Sequence, residues 1–144
     1  MAVLGNKIKD ANEIQSSIKR IAYQVYESNF DEKNIVIVGI GSRGGSLSKL
    51  LGAAIEKISL LKPHYVTLTI DKKNPLKPIS TSIHINDYKN KSLVLVDDVL
   101  NSGTTLIYGI KHFLEVPLQR FKTAVLVNRN HKKYPVKADF KGIS

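Results

Sequence analysis

Residues Leu93 to Thr105 read LVLVDDVLNSGTT. Four apolar residues run into two adjacent acids, Asp97 and Asp98, then into an apolar pair, Val99 and Leu100, and a loop of Asn101, Ser102, Gly103, Thr104 and Thr105. The apolar run has the make-up of a buried strand, and TTLIYGIKHFLE (104–115) has a helical spacing that Pro117 stops. A strand that hands a glycine-hydroxyl loop to a helix N-terminus builds an anion site, because the first-turn N–H groups have no intrahelical acceptor and point at the loop. Gly103 lets backbone approach a ligand, and Ser102, Thr104 and Thr105 add hydroxyl donors. A phosphate monoester suits such a cradle. Asp97 and Asp98 would repel that phosphate if they faced it, so they are assigned to something else. A carboxylate only accepts hydrogen bonds, and vicinal sugar hydroxyls supply donors. A ribose 5-phosphate meets both halves of the stretch. The plain alternative is a helix cap with an acidic neighbour. The P-loop is excluded, since no G-K-[ST] follows.

Outward from this stretch, strands and helices alternate. NIVIVGI (34–40), HYVTLTI (64–70), SLVLVDD (92–98) and KTAVLVN (122–128) are short strands; residues 7–29, with Ile14, Ile18, Ile21, Ala22 and Val25 on one side, and SLSKLLGAAIEKISLL (46–61) are helices. The pattern predicts an α/β fold, a parallel twisted sheet flanked by helices on both faces. The nearly continuous apolar strands fit burial on both sides. Ligands in such folds bind at the carboxyl ends of the strands, and the unusual residues here lie in those loops. Residues 71–92 hold Pro75 and Pro78, many lysines and little periodicity, so a small flexible hood or lid is expected there, with a short β-ribbon at 78–86.

A chain of 144 residues without repeats or linkers is long enough for one compact domain spanning 1–144. It has no cysteine, which excludes disulfides and thiolate metal sites, and no apolar run of about 18 residues, so no membrane-spanning helix is expected. The N-terminus lacks the apolar core of a secretory signal, and a cytoplasmic protein is expected. The formal net charge of +10 points to polyanionic partners or simply to solubility. The four histidines are scattered and have no metal-ligand spacing.

Gly39-Ile40-Gly41-Ser42-Arg43-Gly44 matches the dinucleotide fingerprint G-x-G-x-x-G between a strand and a helix. Against that reading, Asp71 comes later than the usual acid, the chain is short for two mononucleotide halves, and Asp97-Asp98 would be left without a role. The glycines also fit a tight strand-to-helix turn, or an anion nest around Arg43.

The stretch 93–105 resembles the 5-phosphoribosyl-1-diphosphate (PRPP) signature of type I phosphoribosyltransferases, and IVGIGSRGGSLSKLL resembles that superfamily's pyrophosphate loop. AVLVNRNHKKYPVKADFKG and IKRIAYQVYESN are similar to segments of bacterial uracil phosphoribosyltransferases that double as pyrimidine-operon attenuators. The likeness covers roughly residues 12–142. It departs from the family at Asn128, where an acid is usual, at Asn130, where a glycine is usual, and in the shorter, basic excursion DKKNPLKP. Because the family runs on past the aspartate-aromatic-x-glycine segment, a C-terminus cut short or disordered near Ser144 is expected.

The resemblance implies transfer of ribose 5-phosphate from PRPP to a nucleobase, uracil by the nearest likeness, giving UMP and pyrophosphate with Mg2+. It implies Asp97, Asp98 and Arg43 as catalytic residues, with the two acids on the ribose hydroxyls and on the metal directly or through water. Val99, Leu100, Asn101, Ser102, Gly103, Thr104 and Thr105 would take the 5-phosphate, and Ser42, Arg43 and Gly44 the pyrophosphate, with a cis Ser42–Arg43 peptide. Arg129, Lys137, Asp139 and Phe140 fall in the nucleobase-side loop. A homodimer or higher homo-oligomer is implied, and so is an alternative activity, an RNA-binding attenuator of pyrimidine genes, with Lys19, Arg20, His131 and Lys137 on its RNA face. A regulatory or salvage phosphoribosyltransferase for another base is a third reading.

Overall fold

The structure, a computed structural model, describes residues 11–71, 73–129 and 131–143. The elements run α1 (Ala11–Ser28), β1 (Asn34–Ile40), α2 (Gly41–Ile58), β2 (Lys62–Thr69), β3 (Ser80–Thr81), a 3-10 turn (Ile85–Tyr88), β4 (Ser92–Leu100), α3 (Thr104–Phe113), β5 (Arg120–Asn128) and β6 (Phe140–Ile143). They form one six-stranded sheet in the order β3-β2-β1-β4-β5-β6. Every pairing is parallel except that of β3 with β2.

β1 and β4 sit at the centre, buried along almost their whole length, which is why their sequences are continuously apolar. Alternate residues of each strand feed two cores. Ile35, Ile37, Val94, Val96, Ala124 and Leu126 pack under α1 and α2, whereas Val36, Val38, Leu93, Leu95 and Val125 pack under Leu106 and Phe113 of α3. Helices therefore cover both faces, as the alternating sequence requires.

Several boundaries differ from the sequence reading. α2 begins at Gly41 rather than 46, so Ser42, Arg43 and Gly44 form its first turn. Gly39 and Gly44 make this possible: a Cβ on Gly39 would lie 2.6 Å from the Gly44 carbonyl, and one on Gly44 would lie 2.8 Å from the Val96 oxygen. The fingerprint-like glycines thus let α2 close down on β1 and β4. The Ser42–Arg43 bond is trans, as is every peptide bond among the described residues. The expected cis bond is corrected by this helical start, which carries the chain out of β1 without one. β2 takes in Pro63, which opposes Ile35 on one side; β3 covers only Leu68 and Thr69 on the other, so the proline sits on an open edge. The expected ribbon shrinks to Ser80–Thr81. β6, four residues beside Ala124–Val127, was not foreseen. Residues 7–10 of the expected first helix lie outside the described residues.

The hood is anchored at one end. Tyr88 is wholly buried and meets Phe113 of α3 edge-on, with ring centroids 5.0 Å apart.

Candidate functional site

The strand order reverses between β1, which continues to β2, and β4, which lies on its other side. At such a switch point the loops leave in opposite directions and open a crevice at the carboxyl ends of the strands. A cleft of about 710 Å3 lies there, lined by Ser42 and Arg43 from α2, Asp97–Leu106 from β4 and the start of α3, Ile70 after β2, and Arg129 after β5.

The two acids remain within β4, 3% and 8% exposed. Asp97 Oδ1 accepts the Asp98 N–H at 2.9 Å, and Asp98 Oδ1 accepts the Val99 N–H at 3.0 Å. These bonds fix both carboxylates at the cleft wall. Arg43 approaches from the facing helix, its Nη1 3.8 Å from Asp98 Oδ2, with its side chain still 72% exposed.

The loop after β4 turns sharply at Gly103, whose φ of 85° is left-handed. α3 starts at once, with the Ile107 N–H donating to the Gly103 carbonyl at 2.9 Å. The cap residue, Gly103, has no side chain to offer, but Ser102 Oγ accepts the Thr104 N–H at 3.3 Å. Ser102 Oγ also lies 2.8 Å from Thr104 Oγ1. The outcome is a helix N-terminus, two paired hydroxyls and a left-handed glycine facing one cleft, with the positive end of the helix dipole directed at it.

The structure brings Ser42, Arg43, Asp97, Asp98 and Asn101–Thr105 together along the cleft. Gly44 does not; it is the contact of α2 with β4. Val99 and Leu100 still belong to β4, and the Leu100 side chain is 2% exposed in the core, so only the backbone there serves the loop. Arg129 reaches the cleft, but Lys137, Asp139 and Phe140 do not line it. Asp139 Oδ2 accepts the Thr123 N–H at 2.9 Å, and Phe140 is buried beneath α1. Lys19 is exposed on α1, and Arg20 donates to the carbonyls of Lys141 and Gly142 on β6. His131 and Lys137 are exposed along the segment between β5 and β6.

Asp71 is occupied elsewhere. Its Oδ1 accepts the N–H groups of Lys73 and Asn74 at 2.9 and 3.2 Å, and Lys77 Nζ lies 3.3 Å away. These partners, the Lys73 N–H first, hold its carboxyl below the ordinary value. The acid of the dinucleotide reading is therefore a loop cap. Among the described residues no group of three or more His, Cys, Asp or Glu could hold a metal ion alone. Sequence reasoning missed Ile40, Ile70 and Val125 at the cleft, which carry no polar signal, and the hydrogen bonds from Arg129, Lys133 and Tyr134 to the loop.

Residues 5–144 match the phosphoribosyl transferase domain family. The chain belongs to that family. Within it, this phosphoribosyltransferase is of PyrR-like kind. It is 33% identical over 144 residues to the Bifunctional protein PyrR of Caldicellulosiruptor bescii, covering 94% of this chain and 79% of that protein. It is 32% identical to the protein of the same name from a Roseiflexus species, covering 96% and 81%. The hypoxanthine phosphoribosyltransferase of Trypanosoma cruzi superposes with a TM-score of 0.80 at 16% identity, covering 92% of this chain and 77% of that one. A hypoxanthine-guanine phosphoribosyltransferase of Bacillus anthracis gives 0.77 at 18%, covering 98% and 82%. These two establish the fold. Among the described residues no helix is long and apolar enough to cross a membrane.

Proposed function

We propose that this phosphoribosyltransferase moves ribose 5-phosphate from PRPP to uracil, giving UMP and pyrophosphate. The observation that carries the reading is the pairing, in one cleft, of two buried carboxylates with the glycine-hydroxyl loop at the N-terminus of α3. A phosphorylated sugar is the ligand that uses both: its phosphate sits on Ser102–Thr105, and its hydroxyls donate to Asp97 and Asp98. The PyrR likeness selects uracil.

A uracil nitrogen attacks C1 of PRPP, the C1–O bond to pyrophosphate breaks, and the nitrogen's proton leaves to solvent. The transition state is oxocarbenium-like, as in other glycosyl transfers. Asp97 and Asp98 hold the ribose and place negative charge beside the cationic sugar. Arg43 and Ser42, on the first turn of α2, receive the departing pyrophosphate. The hood, within 71–92, is the cover that would keep water out of the site.

An Mg2+ ion fits this donor set. Two carboxylates suit an ion that keeps several waters and takes its other ligands from the substrate. Asp97 and Asp98 would hold it, directly or through water, and when bound it supplies neutralising charge for the leaving pyrophosphate.

The test is pyrophosphate release from PRPP with uracil, hypoxanthine and guanine supplied in turn. Turnover with uracil at least tenfold above the purines is expected; purine preference, or no turnover with any base, overturns the reading.

A second activity is carried by a separate observation. Lys19 and Arg20 on α1 and Lys141 on β6 place basic side chains at the β6 edge of the sheet, where Arg20 donates to the carbonyls of Lys141 and Gly142, and His131 and Lys137 are exposed between β5 and β6. This edge is the proposed surface for RNA.

A further inference from the structure

After β5 the chain folds back over the loop between β4 and α3. The Arg129 N–H donates to the Leu100 carbonyl at 3.0 Å. The N–H groups of Lys133 and Tyr134 both donate to the Ser102 carbonyl, at 2.7 and 3.1 Å. Val136 then lies over Gly103, where an added Cβ would meet its Cγ1 at 2.6 Å. The Tyr134 ring stands edge-on to Tyr108 of α3, with centroids 6.2 Å apart, and the Tyr134 backbone turns through a 2.8 Å bond from the Val136 N–H to its own carbonyl. The strap therefore touches the loop at residues 100, 102 and 103 and the helix at 108.

The geometry points to Tyr134 as a positioning residue for the phosphate loop, acting through the Ser102–Gly103 peptide. In a trans peptide the carbonyl and the following N–H point in opposite directions. Two donors on the strap clamp the Ser102 carbonyl, so the Gly103 N–H is turned away from the strap and towards the cleft that Gly103 lines. The left-handed conformation of Gly103 is set at the same time, with Val136 closing the space above it. Neither Tyr134 nor Val136 lines the cleft, so neither touches the ligand. Their effect is to hold a backbone donor ready before the phosphate arrives, which removes an ordering penalty from binding. By linkage, a bound phosphate in turn holds the strap.

The inference rests on the reading of Ser102–Thr105 as the phosphate cradle, and the experiment separates the two. Ribose 5-phosphate and pyrophosphate are titrated calorimetrically into the wild type, Tyr134→Ala, Tyr134→Phe and Val136→Ala, and PRPP kinetics are measured for each. Tyr134→Ala is expected to weaken ribose 5-phosphate and raise the PRPP KM by about tenfold, with kcat changed less than threefold and pyrophosphate affinity unchanged. Tyr134→Phe, which keeps the ring, should behave as the wild type, and Val136→Ala should fall between. Unchanged pyrophosphate binding also certifies that the variants are folded. In the wild type, ribose 5-phosphate should slow amide exchange at Lys133 and Tyr134. If ribose 5-phosphate binds the wild type and Tyr134→Ala equally, without slowing those amides, the positioning role is overturned and the phosphate cradle stands. If Thr104→Ala leaves ribose 5-phosphate affinity unaltered in the wild-type background, the cradle itself falls, and the positioning role with it.

Discussion

Asp97 and Asp98 have two separable duties, one structural and one electrostatic. Each Oδ1 satisfies a neighbouring backbone N–H, and asparagine can keep that bond while losing the charge. The variant Asp97→Asn with Asp98→Asn should therefore fold, with a urea midpoint close to the wild type, yet lose about 100-fold or more in pyrophosphate release, the scale on which transition-state electrostatics act. Normal turnover would remove both acids from the mechanism. Gly103 tests the loop instead. With φ at 85° and Val136 above it, Gly103→Ala meets both backbone strain and a steric clash. A loss of about 1–3 kcal/mol in stability is expected from denaturant unfolding. These residues were legible in the sequence because the motif is local: acids, glycine and hydroxyls lie within nine positions, Asp97 to Thr105. The partners that hold Gly103, thirty residues on, left no such pattern.

At the scale of elements, long apolar strands were readable and short or glycine-led ones were not. β1 and β4 are buried on both faces, which leaves a continuous apolar run. β6 has four residues, two of them Lys141 and Gly142, and exists because β5 offers it a ladder. The start of α2 was misplaced because glycines usually signal a loop, whereas here they permit contact with β1 and β4. The hood divides for a similar reason: Tyr88, one aromatic in a polar stretch, anchors its far end. Amide exchange should therefore be fast in 73–79, before the β3 ladder, and slow in Val94–Val96; comparable protection in the two would contradict a moving cover. At the opposite end of the sheet, Arg120 binds Asp31 through both carboxylate oxygens, at 2.8 and 3.0 Å, joining β5 to the loop before β1. These hydrogen bonds hold the Asp31 carboxyl below its ordinary value of 3.8. A depressed acid stabilises the fold above that ordinary value, and the contribution is lost as pH falls through the lowered one. Asp31→Asn should accordingly narrow the drop in urea midpoint between pH 5 and strongly acidic pH; an identical drop in both proteins would show the pair to be without effect.

For the whole molecule, the formal net charge of +10 exceeds what a single PRPP site requires, and its placement matters more than its sum. Arg20 is partly committed, since it donates to the carbonyls of Lys141 and Gly142 and so ties α1 to the β6 edge. Lys19 and Lys137 are exposed. They are the better probes of an RNA surface. Single-stranded loop bases and phosphates are the targets a protein edge of this sort can reach, because the deep groove of an RNA duplex excludes side chains. Affinity should fall with salt with a log–log slope of about −0.7 per phosphate contacted. Lys137→Ala should make that slope shallower by about 0.7, and Arg20→Ala should lower thermal stability as well as affinity. Any basic surface attracts any RNA, however, so the deciding comparison is between sequences. A pyrimidine-gene leader should bind at least tenfold more tightly than a scrambled RNA of the same length, and UMP should alter the first affinity more than the second. Equal affinities, unmoved by UMP, would reduce the basic edge to non-specific attraction and leave this chain a phosphoribosyltransferase alone.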